Sequence, residues 1–308
     1  MVISYVVLFA AVTGPLLLLW GPFPHLRRAA AESALTSMHR RLAALFVSRA
    51  ELAALERGKF EGYGGFAFRP LRFQERHDDR LEMFEVRSPR FHGYVLLVHD
   101  PRRLAVAFSQ SLPRAGETTS ALARRTGAVA AVNAGGFGDN HGAGTGGLPE
   151  GIILHEGRFV FSEKSANRGE VRVIGFDRQG ALVVGELTKA EMVRRGLREA
   201  VAFGPPLVLE GQPLISKGDG GWGIAPRTAI GQRRDGTVIL LVIDGRQVTS
   251  LGATLRDVQN VMLSYGAYVA ANLDGGSSAT MYYHGRVINH PSDPMGERMV
   301  PTAFVVKP

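Results

Sequence analysis

The sequence contains no cysteine. Disulfides, thiolate metal sites and cysteine nucleophiles are thereby excluded. The absence also fits an oxidising exterior. No G-x-S-x-G occurs, so Ser277 and Ser278 are poor nucleophiles. His141, His155, His284 and His290 show no metal-ligand spacing. No cofactor is called for, although a divalent ion held by aspartates stays open. Zinc-finger spacing, RNA-binding aromatic signatures and basic heptads are all missing, which argues against nucleic acid. There is no internal repeat. Charge is missing altogether from residues 2–24.

That uncharged run has the length a membrane span needs. No small-residue cleavage site follows it, so residues 1–24 read as a single uncleaved transmembrane anchor. Residues 25–65 read as an amphipathic helix, Ala29 to Lys59, and a glycine-rich linker. Leu35, Met38, Leu42, Leu45, Phe46 and Leu52 recur there at helical spacing. The domain proper covers 66–308. The net charge of +8 suits anionic lipid or an acidic polymer better than nucleic acid.

Hydrophobic residues make up 45% of the 308, enough for a real core, and the 38 glycines favour many turns and strands. Strands are expected at Leu81–Val86, Tyr94–Val98, Leu104–Phe108, Ala128–Val132, Val171–Phe176 and Ala181–Val184. Two more flank a Gly-Pro-Pro bend at 204–206. Val238–Ile243 is wholly apolar and reads as a central strand. Helices are expected at Thr118–Thr126, Leu187–Leu197 and Thr254–Tyr265. Strands and helices do not alternate strictly, so the fold class is α+β with one large mixed sheet. Gly142 to Gly147 matches G-x-G-x-x-G, but Pro149 and Gly151 follow where a helix is required, and the match is rejected.

Several polar-glycine turns stand at strand ends. They are Asn133-Ala134-Gly135-Gly136-Phe137, Arg227-Thr228-Ala229-Ile230-Gly231, Asp244-Gly245-Arg246 and Asn272-Leu273-Asp274-Gly275-Gly276-Ser277-Ser278. With Leu251-Gly252-Ala253-Thr254-Leu255, this set resembles the phosphodiester glycosidase family over about Leu81 to Val306. Its members include an enzyme that removes N-acetylglucosamine from a phosphodiester on mannose, and bacterial envelope proteins. Where the family often has a third glycine after the aspartate, this chain has Ser277.

The resemblance implies a membrane-anchored, extracytoplasmic hydrolase that cleaves the anomeric bond of sugar-1-phosphodiesters. Such a substrate is an anion, and Arg227 has a planar fork that can grip two phosphate oxygens. The amides of Gly275, Gly276 and Ser277 can add donors. The leaving phosphate is acidic, so a carboxylate at the anomeric carbon matters more than a proton donor. Asp244 and Asp274 each end a buried strand and each precede glycine. Side by side they would push each other's pKa apart. Asn133, Gly135, Gly136, Thr228 and Ser278 complete the expected substrate-binding set. Asp257, in the first turn of its helix, reads as structural. A non-catalytic module that holds acidic cell-surface polysaccharide is the alternative.

Overall fold

The computed structural model describes residues 9, 13–14, 21–35, 40–52, 71–73, 78–138 and 145–308. The expected anchor, the linker and the rejected 142–147 match lie wholly or largely outside them. No helix among the described residues is long and apolar enough to cross a membrane.

Where it is described, the expected amphipathic helix is not continuous. A helix spans Pro24–Leu35, and a 3-10 helix follows at Arg40–Leu45. The chain then turns, and helix resumes at Arg49. The break has a local cause. The Glu51 carboxylate accepts from the Ser48 amide at 2.9 Å, and the Glu51 amide donates to Ser48 Oγ at 3.2 Å. This reciprocal pair starts a new helix at that point.

The frame of the domain is a seven-stranded sheet. Its strands in chain order are β1 (Leu81–Arg87), β2 (His92–Val98), β3 (Pro206–Leu209), β4 (Arg227–Gln232), β5 (Val238–Ile243) and β6 (Val269–Leu273), plus the short Gln212–Pro213. In space the order is β1-β2-β5-β4-β6-β3, with Gln212–Pro213 at the edge. A second sheet of five strands centres on Leu197–Ala202, and a third on Ala130–Asn133. The Gly-Pro-Pro bend thus separates two strands of different sheets.

The expected mixed sheet is corrected by these pairings. Every pairing between described strands of the three large sheets is antiparallel. Apolar content shows how deeply a strand is buried but not the direction of its neighbour, so the sequence did not distinguish the two cases.

The unbroken apolar run of β5 is explained by burial on both faces. Val238, Leu240 and Val242 enter the large core shared with the other sheets. Ile239, Leu241 and Ile243 pack on the helix Leu255–Ser264 through Leu255, Val258 and Met262. Thr254 and Asp257 form a capping box that starts this helix, and Asp257 also pairs with Arg90 at 2.9 Å. Asp257 is structural, as its position indicated. The third sheet is backed by Leu122 and Ala123 of the helix Thr119–Arg125.

Close sheet contact also constrains single positions. A Cβ on Gly175 would lie 2.1 Å from the Glu199 carbonyl oxygen on the paired strand. Gly175→Ala should therefore cost about 3 kcal/mol, since the strand has no room to move. Urea unfolding of the variant would show this as a lower midpoint with an unchanged slope.

Candidate active site

The central sheet brings three of the predicted residues to one edge. Arg227 opens β4 and pairs in register with Ile243, the last residue of β5. Asp244 follows directly. Thr228 pairs with Leu273, the last residue of β6, and Asp274 follows that. Adjacent antiparallel strands necessarily place the start of one beside the ends of its neighbours. The third sheet arrives at the same edge through Asn133.

Asn133 is a clasp within the protein. Its Nδ2 donates to the Asp274 carbonyl at 2.5 Å. Its Oδ1 accepts from Thr228 Oγ1 at 2.8 Å and from the Thr280 amide at 3.1 Å. The side chain is fully buried, as is Thr228. Both were expected to bind substrate; in this structure they fix the backbone that carries Asp274. Gly135 and Gly136 likewise spend their amides inside the protein, on Thr302 Oγ1 and the Ala202 carbonyl.

The Asp-Gly-Gly turn is held tightly. The Asp274 amide donates to the Ala134 carbonyl at 3.0 Å, and the Gly276 amide to the Pro226 carbonyl at 2.9 Å. A Cβ on Gly275 would fall 2.8 Å from that same Pro226 oxygen, so no larger residue fits. Gly276 has φ of +60°, the left-handed region that favours glycine. Of the three amides expected to face an anion, Gly276 is thus committed. The Gly275 amide turns to the Asp274 carboxylate, and the Ser277 amide has no acceptor among the described residues.

Asp274 is the group whose ionisation is most strongly perturbed in the direction catalysis uses. Burial pushes its pKa up to about 7. Ser278 pulls the other way most strongly, followed by Arg298, while Glu150 adds to the rise. The Ser278 hydroxyl faces the carboxylate without reaching full hydrogen-bond geometry. The residue keeps a partly exposed surface although its carboxyl is surrounded by protein, so ligand can reach it.

The expected mutual effect of Asp244 and Asp274 is corrected here. Besides burial, the acid that raises Asp274 is Glu150, an acid near a glycine-rich stretch to which the sequence assigned no role. Asp244 is only 2% exposed and is anchored. Its Oδ1 accepts from Asn289 Nδ2 and from the His290 amide, both at 3.0 Å. Asp244 therefore ties the 289–290 segment to the central sheet.

Arg227 is also committed to structure. It is 2% exposed, and burial lowers its pKa to about 10. Its Nε donates to the Ala253 carbonyl at 2.9 Å. Its Nη2 donates to the carbonyls of Trp222 and Gly223, at 2.8 and 2.6 Å. Among the described residues Nη1 alone finds no acceptor, so Nε and Nη2 are spent on loop carbonyls rather than held free for the two-pronged phosphate grip expected of Arg227.

The reachable cations are Arg246 and Arg298. Arg246 Nη1 donates to Ser277 Oγ at 3.0 Å. The residue is exposed along its length, yet desolvation of its guanidinium lowers its pKa, and Arg298 pushes the same way. Arg298 also acts on Asp274 and lies 4.8 Å over the Phe137 ring. Two guanidinium groups that repel each other beside a hydroxyl form a natural seat for an anion. Arg246 stood in a quoted turn, Asp244-Gly245-Arg246, but nothing in sequence separates a free arginine from a buried one. Glu297 accepts from the Ser120 amide and hydroxyl at 2.9 and 2.5 Å. Among the described residues, no group of three or more His, Asp or Glu is placed to hold a metal ion.

Beside this cluster opens a cleft of about 370 Å³, walled in part by Glu150, Phe203 and Trp222. The two aromatic rings meet at 6.0 Å and 70°. Glu150 is common to the cleft and to the surroundings of Asp274.

An acid pair, Asp274 and Glu150, thus stands beside two arginines on an antiparallel α+β frame. Comparison with known proteins names the family. The phosphodiester glycosidase model matches residues 126–307, more than half of the chain, and the chain belongs to that family. The SPbeta prophage-derived uncharacterized protein YomE of Bacillus subtilis is 32% identical over 199 residues, 62% of this chain and 30% of that protein. The N-acetylglucosamine-1-phosphodiester alpha-N-acetylglucosaminidase of Mus musculus is 27% identical over 166 residues, 48% of this chain and 31% of the enzyme. The chain thus spans about a third of the length of these curated relatives. The zebrafish enzyme's catalytic domain, auto-inhibited by its pro-peptide, superposes with a TM-score of 0.64 at 23% identity. That match covers 78% of this chain and 87% of the zebrafish one, and at such identity it is a likeness of fold.

Proposed function

We propose that this protein hydrolyses the anomeric bond of sugar-1-phosphodiesters. The observation that carries the reading is Asp274, a carboxyl with a pKa of about 7 beside a pair of arginines. Arg246 and Arg298 hold the phosphodiester, with Ser277 orienting Arg246. Water attacks the anomeric carbon and gives its proton to the ionised Asp274. The bond from that carbon to the phosphate oxygen breaks, and the phosphate monoester leaves with the electron pair. No strong acid is needed, because the leaving group is already a weak base. A general base poised near neutrality suits this step.

The test is release of free sugar and UDP from a UDP-sugar by the purified chain. Binding without turnover would favour the alternative of a glycan-holding module.

We infer further that the protein acts on envelope glycans from the outer side of the cell membrane. The uncharged run 2–24 supports the anchor, and the family's bacterial envelope members support the side. Full-length protein should sediment with membranes, and a chain starting at residue 25 should not. Equal sedimentation of the two would remove the anchor.

A further inference from the structure

Exposed apolar side chains are not spread evenly over the domain. Among the described residues from 71 to 308, nine large ones stand in solvent, and five of them lie on the loops that carry or adjoin the two site arginines: Ile224, Val248, Leu251, Met295 and Met299. The two most exposed of the nine, Val248 at 101% and Met295 at 94%, each occupy the tip of a tight turn. Gln247 and Ser250 exchange backbone hydrogen bonds at 2.9 and 3.2 Å, leaving Val248 and Thr249 at the apex. The Gly296 amide closes the second turn on the Asp293 carbonyl at 3.0 Å, with Pro294 and Met295 outermost. Gln247 Nε2 donates to the His290 carbonyl at 2.8 Å and holds the two loops side by side. Leu251 is tied to the base of the first turn, where its carbonyl accepts from the Arg246 amide at 3.1 Å. Ile224 adjoins it through the pairing of Ala225 with Ala253.

Turn tips favour Gly, Asn, Asp and Ser, so the turns themselves do not call for valine or methionine there. Water penalises both side chains, and no described residue covers them. Charge on this edge is sorted as well. Asp293 turns its carboxylate to the Met295 amide at 3.0 Å, Glu297 turns to Ser120, and Asp257 to Arg90. The acids are thus spent on the protein's own donors, while Arg246 and Arg298 stand between the apolar tips. Cations fit for phosphate, with apolar tips around them, match the two outer layers of a bilayer, headgroup and acyl boundary. The core of a protein interface is packed like a protein interior, whereas separate protruding tips suit a fluid surface that closes around each. The uncharged run 2–24, read above as an anchor, brings a bilayer within reach, with residues 25–70 between it and the domain.

We propose that the edge carrying the site rests on a phospholipid bilayer, with Val248 and Met295 in the acyl boundary and Arg246 and Arg298 at the level of the lipid phosphates. The site then opens onto the membrane, and a sugar phosphodiester borne by a lipid is the class of substrate it meets there. Docking rests on the hydrolase reading for that substrate alone, and its test needs no turnover.

The chain has no cysteine, so single ones can be introduced and labelled. Full-length Val248→Cys and Met295→Cys carry an environment-sensitive fluorophore, and Val193→Cys, on the helix Lys189–Arg194, serves as the reference position. Each is mixed with vesicles of phosphatidylglycerol and phosphatidylcholine. Emission at 248 and 295 should move to the blue and rise about threefold, and lipids with a quencher ~5–10 Å below the headgroups should quench it. Val193→Cys should keep its aqueous spectrum. Adding Val248→Asp to the Met295→Cys chain should cut the rise at 295 by about half or more, since a charge beside the second tip resists entry into lipid. Aqueous spectra at both tips, an equal change at 193, or indifference to Val248→Asp would overturn the proposal. So would a change that needs no vesicles and grows with protein concentration, as a second copy on this edge would cause. Turnover is scored separately. A chain whose tips enter lipid but that releases no sugar from a UDP-sugar sinks the hydrolase reading alone. A chain that releases sugar while both tips stay in water sinks this inference alone.

Discussion

Asp274→Asn is expected to lower kcat for a sugar phosphodiester by about 10³-fold or more, because the amide cannot take a proton from water. The wild-type rate should rise with pH and level off above about 7, since only the ionised carboxyl works and burial holds its pKa there. The variant's residual rate should show no such limb. Stability separates this from unfolding. A carboxyl whose pKa is raised in the folded state binds its proton more tightly there than in the unfolded chain. Its contribution is present in full below about pH 4 and is lost as pH rises through about 7. Asparagine carries no such charge. The variant should therefore gain on the wild type between pH 5 and pH 8, by on the order of 2–4 kcal/mol at most, a ceiling lowered by solvent contact. Thermal melts across that range give the comparison. Full activity in a folded Asp274→Asn protein would end the catalytic assignment.

Arg246→Ala should lower kcat/KM by about 10²-fold, through loss of a charge-assisted contact to a phosphate whose charge grows as the bond breaks. Because Arg246 is exposed and its side chain bonds, among the described residues, to Ser277 Oγ alone, its truncation should leave the melting temperature within a degree or two. Arg246→Lys should recover part of the rate but not the two-pronged geometry. Arg227→Gln should behave in the opposite way. It strips donors from the carbonyls of Ala253, Trp222 and Gly223, so it should destabilise the fold first. If Arg227→Gln folds normally while losing all phosphate affinity, and Arg246→Ala is neutral, the two roles assigned here must be exchanged.

These two arginines show where a linear reading fails. Both precede or follow glycine-rich turns, and both have the chemistry to hold phosphate. Arg227 is the phosphate candidate from the sequence for its planar fork, and it opens β4. That same position puts it inside the sheet edge, where its donors are needed by loop carbonyls. Arg246 sits one turn further out, beyond Asp244 and Gly245, and so reaches solvent and Ser277. Asp244 and Asp274 divide in the same way. Each ends a strand before a glycine, but Asn289 and His290 hold the buried Asp244 carboxylate, whereas Asp274 keeps a partly exposed surface.

Glu150 was hidden for a different reason. It stands between the short strand Leu148–Pro149 and the strand Ile152–His155, 124 positions from Asp274 in the chain, outside the glycine-rich turns that carry the family pattern. The pairing of Phe137 with Pro149 and the Glu150 amide's bond to the Gly136 carbonyl at 2.9 Å bring it to the site, where a Cβ on Gly136 would stand 2.8 Å from the Phe203 ring and 3.2 Å from Glu150 Oε2.

Taken alone, the sequence determined the strands, the helix caps and the strand-end turns, because hydrophobic period, capping boxes and glycine pairs act over a few residues. The family follows from those same turns. Tertiary structure decided the antiparallel sense of the sheets, the clasp at Asn133, and which charged groups stay free to meet a ligand. Those outcomes depend on partners far apart in the chain, and on the competition between water, backbone carbonyls and substrate for the same donors.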